Sequence, residues 1–358
     1  MADQILSLKN TNEFFRFNPR WLRLTLVTFI IVWAMFLRIE WRAKKVWSTD
    51  ETIQIRLMAG PVKDMIQNQL AIVQYPGDYL LMWPFYQVFG KSKRLLPIPH
   101  LVLTGVGFIL LYMMCRQYFQ TLWGYLIAFL VAAKNSNLIN YAGEVRPYTV
   151  LATLGIAGFL MTKLLVKNQN PSGQQRFWVS LFVFFTLTFH FYGAFILFFN
   201  YLFHLICSRN NESWWRVILR NLKAYWPALL ITFPFWAYFT FVSDKSYMNW
   251  NPYEYIPRGI IPWLKGVFGN LIGYRPFYFL LAGLILALSV PHKMRWQQIV
   301  FFTVVILAPI GFIFWSCVQY QYWFIQRLFI WAMPLFAFLL GWQWDALFVY
   351  FSGKLEKT

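Results

Sequence analysis

Asn140-Tyr141-Ala142-Gly143-Glu144-Val145-Arg146-Pro147-Tyr148 sets a carboxylate, a guanidinium and two phenols between long apolar runs. A charge left in hydrocarbon costs roughly 2.5 to 3.5 kcal/mol on insertion scales, so these groups belong at a membrane surface or along a polar cavity. Pro147 favours the surface: it fits the first turn of a helix without forfeiting a needed N–H, so a new span starts here. The plainer alternative is a polar turn between helices with a local Glu144–Arg146 pair.

The surroundings make this a membrane protein. Of 358 residues, 59% are hydrophobic and 22% aromatic, and the mean hydropathy is +0.47. A soluble domain is about 45–50% apolar. The expectation is an all-α polytopic protein. At about 20 apolar residues per crossing there is room for roughly ten transmembrane helices in a single domain, 1–358. Arg16, Arg20 and Arg23 precede an apolar run with no small-residue cleavage site, which reads as a retained first span. Cys115, Cys207 and Cys317 match no metal or disulfide spacing.

Span one is expected at 24–37, followed by a polar outer segment, 39–97, that holds Asp50, Glu51, Asp64 and Asp78. Within it, 79–89 is apolar but short and interrupted by Pro84, which suits an interfacial or re-entrant helix. Later spans are expected at about 98–114, 121–137, 148–166, 177–190, 192–207, 225–242, 277–290, 298–316 and 328–349. A second outer segment runs over 243–276. This parity keeps Lys163, Lys167, Arg176, Arg209, Arg216, Arg220 and Lys223 cytoplasmic, as the positive-inside tendency requires. It also divides the 32 lysines and arginines evenly between the two sides. An even split is unusual for a positive-inside protein and points to an outer face that handles an anion such as a phosphate.

That outer face collects Asp50-Glu51, Glu144 to Tyr148, His190-Phe191-Tyr192-Gly193, and Arg327 in Gln326-Arg327-Leu328-Phe329. A carboxylate at a partly desolvated membrane edge is a reasonable general base. Arginines beside it bind phosphate through paired, charge-assisted hydrogen bonds. Glu51 either orients an acceptor or pairs with an arginine. Glu144 and Tyr148 support the site. Tyr75, Arg146, His190 and Arg327 are the candidates for a phosphate-linked donor. Two acidic sites on one face could also chelate a divalent cation. However, the basic neighbours neutralise phosphate unaided, so no obligatory metal or other cofactor is expected.

The ordered set Thr49-Asp50-Glu51, Gln74-Tyr75-Pro76-Gly77-Asp78-Tyr79-Leu80-Leu81, Glu144-x-Arg146-Pro147-Tyr148, His190-Phe191-Tyr192-Gly193 and Gln326-Arg327 resembles the GT-C superfamily. Within it, the chain is similar to bacterial enzymes related to protein O-mannosyltransferases and aminoarabinose transferases, best over about 20–205. The resemblance implies a GT-C helical bundle and a glycosyltransferase with a polyprenyl-phosphate-linked sugar donor. It also implies an active site on the periplasmic or lumenal face (inner membrane if bacterial), Asp50 as general base, and inversion at the anomeric carbon.

Two departures matter. The family's Pro-Pro-Leu reads Pro76-Gly77-Asp78 here. The extra spans or soluble C-terminal domain of many relatives are also missing, so a lipid, glycan or surface polysaccharide is the expected acceptor rather than a protein. Besides donor and acceptor the expected partners are membrane lipids, and no nucleic acid. Two other readings use the same basic outer face: a transporter or flippase for a lipid-linked anion, and a polyprenyl-linked glycan polymerase or ligase.

Overall fold

The computed structural model describes residues 20–71, 75–190, 192–208, 213–237, 295–312, 315 and 326–355. Within these the chain is helical, with no strand. The helices are α1 (Arg20–Lys44), α2 (Thr49–Met58), α3 (Val62–Ala71), α4 (Gly77–Phe89), α5 (Ile98–Cys115) and α6 (Leu122–Lys134). They continue as α7 (Ser136–Tyr141), α8 (Tyr148–Lys167), α9 (Gly173–Phe189), α10 (Tyr192–Cys207) and α11 (Trp214–Ala237). Next comes α12 (Arg295–Val300), which runs on as a π-helical stretch, Phe301–Leu307. A 3-10 segment, Gln326–Ala332, leads into α13 (Met333–Leu355).

Among the described residues, five stretches are long and apolar enough to cross a membrane: Arg20–Lys44, Ile98–Cys115, Tyr148–Lys167, Arg295–Phe312 and Phe329–Gly353. Leu122–Lys134 and Tyr192–Cys207 are shorter apolar helices, at the places expected for two further spans. With the family evidence below, these helices make this an integral membrane protein. The spans expected at 177–190 and 225–242 fall on α9 and α11, which are not among the five. Helix α11 starts at Trp214, well before the expected point, and contains Pro227 and Pro234. The span expected at 277–290 and the segment 243–276 lie outside the described residues.

Span one is longer than the apolar run suggests. Charged residues should have ended it near 37, yet α1 continues to Lys44 because Arg38 and Arg42 are buried. The Arg38 guanidinium donates to the carbonyls of Ala132 (3.0 Å) and Ala133 (3.2 Å). It thereby supplies partners to the orphan carbonyls at the end of α6. At the other end of α6, Asp345 of α13 accepts from the N–H groups of Gln120 (2.9 Å) and Thr121 (2.7 Å), a favourable place for an anion.

The final helix is the axis of the bundle. Of its apolar window 78% is buried, against 22% for α1, so α13 is packed by protein and α1 faces lipid. Helices α6 and α13 approach through Gly124 and Gly341, where a Cβ on Gly341 would stand 2.6 Å from the Gly124 carbonyl oxygen. Small residues at such crossings let backbones close up where no hydrophobic force joins helices. Phe159, Phe203, Phe301, Phe338 and Trp342 fill the centre.

Helices α2, α3 and α4 form a separate, smaller cluster around Ile55, Met58, Met65, Tyr79 and Met82, with Val145 among them. This cap, built from the first loop, positions the candidate site.

Candidate active site

Asp50 and Glu51 are sequence neighbours with opposite surroundings. Ser48 caps α2 in a reciprocal box: its hydroxyl accepts from the Glu51 N–H (3.2 Å), and Glu51 Oε2 accepts from the Ser48 N–H (2.9 Å). That fixes Glu51 inward, fully buried. Its Oε1 takes hydrogen bonds from Arg42 (2.9 Å) and from the backbone N–H of Val145 (3.1 Å). Successive helical residues lie about 100° apart, so Asp50 falls on the outer flank. Its side chain is 34% exposed, and Oδ2 lies 3.7 Å from Arg146 Nη2.

The second polar loop is held from α1. Lys45 pairs with Glu144 and donates to the Asn140 carbonyl (3.2 Å). A Cβ on Gly143 would come within 2.8 Å of the Arg42 side chain, so the loop lies directly on that arginine. The ion pairs of this stretch run to the first loop, Glu144 to Lys45 and Arg146 to Asp50, in place of a local Glu144–Arg146 pair. The polar residues of 140–148 are therefore part of a tertiary site.

Arg146 is the pivot. Burial alone would lower its pKa, but Tyr148, Tyr79 and Asp50 outweigh that and hold it above the ordinary value, Tyr148 also by a side-chain hydrogen bond. Its Nε is buried with no hydrogen-bond partner. Tyr148 is itself buried and packs on Tyr141 at 4.9 Å between ring centroids. Burial pushes the Tyr79 phenol up to about 12, with Arg146 opposing, so it is a neutral donor at working pH.

His190 closes the far side. Its ring stacks on Tyr75 (6.3 Å, 18° between planes) and tilts against Tyr192 (4.9 Å). The N–H of Tyr192 donates to His190 Nδ1 at 3.2 Å. Burial, and after it the charge of Arg146, pushes the imidazole down to about 3. It is thus neutral, and with Nδ1 accepting, the proton sits on Nε2. Tyr192 stacks on Phe329 (6.0 Å), which brings the last span to the same place.

The structure therefore gathers Asp50, Tyr75, Arg146, Tyr148 and His190, with Tyr79 and Tyr192 beside them. Glu51 and Glu144 lie behind, Glu51 paired with Arg42 near the end of α1 and Glu144 with Lys45 just after it. Arg327 is in the 3-10 segment two residues from Phe329, and its side chain lies outside the described residues. Among the described residues no three His, Cys, Asp or Glu side chains come together as a metal-ligand set.

Sequence reading missed the partners that hold the cap. Asp78, read as one acid of the first outer segment and as a departure from a motif, accepts from Gln54 Nε2 (2.7 Å), and its Oδ1 is 2.9 Å from His100 Nε2. All three are buried. The signal was there: an acid opening an apolar dozen, and a histidine just inside a span. Gly77 is also accounted for, since a Cβ would meet the Thr188 carbonyl oxygen at 2.7 Å and Phe189 Cα at 2.8 Å. A proline in its place would collide with the end of α9.

No curated protein and no solved structure matches this chain. Residues 75–238 match the family model described as Dolichyl-phosphate-mannose-protein mannosyltransferase, a stretch that takes in Tyr75, Arg146, Tyr148 and His190 and starts after Asp50; on it rests the resemblance of this chain to membrane glycosyltransferases of the GT-C type.

Proposed function

We propose that this protein is a glycosyltransferase that moves a sugar from a polyprenyl-phosphate donor to a hydroxyl of a lipid or glycan acceptor on the outer face of the membrane. The observation that carries the reading is the meeting of Asp50 and Arg146, 3.7 Å apart, from two loops far apart in sequence. A half-exposed carboxylate beside a guanidinium with a buried Nε still to be satisfied suits a base next to a phosphate.

In the proposed reaction Asp50 takes the proton of the acceptor hydroxyl. The freed oxygen forms a bond to the anomeric carbon as the bond from that carbon to the phosphate oxygen breaks, and the centre inverts. The polyprenyl phosphate leaves against Arg146, with Arg327 as the second cation and His190 Nε2–H as a neutral donor. Glu51 acts at one remove by fixing the helix that presents Asp50. Tyr75 and Tyr148 line and support the donor side.

The test uses full-length protein in lipid nanodiscs, supplied with a panel of polyprenyl-phosphate sugars and with lipid and glycan acceptors. Covalent product from wild type, lost in Asp50→Asn and retained with a chelator, supports the metal-independent mechanism. Movement of the intact donor across vesicles without product would establish the transporter reading instead, and transfer of a preassembled glycan would establish the polymerase or ligase reading.

A further inference from the structure

The geometry points to Asp78 and His100 as a positioning pair that sets the placement of Asp50 through Gln54, and it rests on the reading of Asp50 as the base. Gln54 lies one turn beyond Asp50 on α2, so moving its side chain moves the flank that carries Asp50. The Gln54 amide donates to Asp78 Oδ2 at 2.7 Å, and His100 Nε2 contacts Asp78 Oδ1 at 2.9 Å. One buried carboxylate thus joins the loop helix α2, the cap helix α4 and the membrane helix α5.

The network has one self-consistent proton arrangement. His100 Nδ1 and Gln54 Oε1 are buried without hydrogen-bond partners. With His100 neutral and its proton on Nε2, both orphans are acceptor lone pairs, which cost less to bury than a stranded N–H. Asp78 then receives two donors and, in the first turn of α4, the favourable end of the helix dipole. Replacing Asp78 by an apolar residue, as at the end of the family's Pro-Pro-Leu, would remove the carboxylate that accepts from the Gln54 amide. The departure from the family motif is therefore a link between the base-bearing helix and the membrane bundle. Tyr79, next in sequence, responds to the charges of Arg146, Asp78 and Asp50 together, so the link lies beside the site.

The experiment compares wild type with His100→Leu, His100→Gln, Asp78→Asn and the double variant Asp78→Asn with Gln54→Glu, all full length in nanodiscs. Hydrogen exchange of the 49–58 amides is read against that of the 122–134 helix, alongside kcat and donor KM. Expected for His100→Leu and Asp78→Asn is exchange about tenfold faster over 49–58 alone, with kcat about tenfold lower and KM within twofold. His100→Gln, whose amide still donates, and the double variant, which reverses donor and acceptor, should recover both quantities toward wild type. Unchanged exchange over 49–58, or a uniform rise across the protein with no recovery in either rescue variant, overturns the proposal. If wild type transfers no sugar, the reading of Asp50 as base fails separately, and the local exchange result alone decides whether the pair anchors α2.

Discussion

The guanidinium of Arg42 and the carboxylate of Glu51 meet at 2.9 Å with almost no solvent on either side. This buried pair joins the end of the first span to the start of the cap helix. Through the Val145 N–H, the same Glu51 oxygen also fixes the residue before Arg146. The orientation of the site therefore depends on an acid that does not itself open onto it.

Removing one partner leaves a buried charge uncompensated. Glu51→Ala is expected to destabilise the protein by about 3–5 kcal/mol, read as a lowered unfolding midpoint in detergent. The double replacement Arg42→Met with Glu51→Leu is expected to lose much less, because no isolated charge remains. Equal losses would mean that the contribution of Glu51 is not its pairing.

Asp50 is the opposite case. Its side chain is 34% exposed and its ion pair with Arg146 is long, so Asp50→Asn is expected to shift stability by no more than about 1 kcal/mol. Loss of a general base is expected to lower turnover by about 10²- to 10⁴-fold. Transfer rate and melting temperature measured on one preparation separate the two effects.

His190 predicts a pH dependence. Its pKa falls from an ordinary 6.5 to about 3 on folding, so below 6.5 the unfolded chain binds a proton that the folded chain refuses. Stability from this group is therefore complete above pH 6.5 and declines on acidification toward pH 3, with a limiting slope of about 1.4 kcal/mol per pH unit. Melting curves from pH 7 to 4 should show a steeper fall for wild type than for His190→Gln.

Gly77 is fixed by close approach. Gly77→Ala would press a methyl against the backbone of Thr188 and Phe189, and overpacking of this kind costs about 1–3 kcal/mol. A lower unfolding midpoint, with increased exchange in the 77–89 helix, is the expected outcome.

Length and apolarity made much of the fold legible. The helices at 98–115, 148–167 and 192–207 begin and end within a residue or two of where hydropathy and flanking charge place them. The end of the first span was not legible, because Arg38 and Arg42 read as loop charges when only one strand of chain is considered. Nor was the start of α11, where a basic, aromatic stretch precedes the apolar one.

The sequence by itself determined that this is a helical membrane protein and which polar stretches fall at the ends of its apolar runs, because hydrocarbon excludes charge whatever the rest of the chain does. Only the tertiary structure decided that Asp50 faces Arg146 while Glu51 turns inward, that Glu144 pairs with Lys45, and that Asp78 binds His100. Those outcomes depend on which loops the packed helices bring together. Burial then forces each charge to find a partner within a few ångströms, and sequence spacing carries no record of that partner.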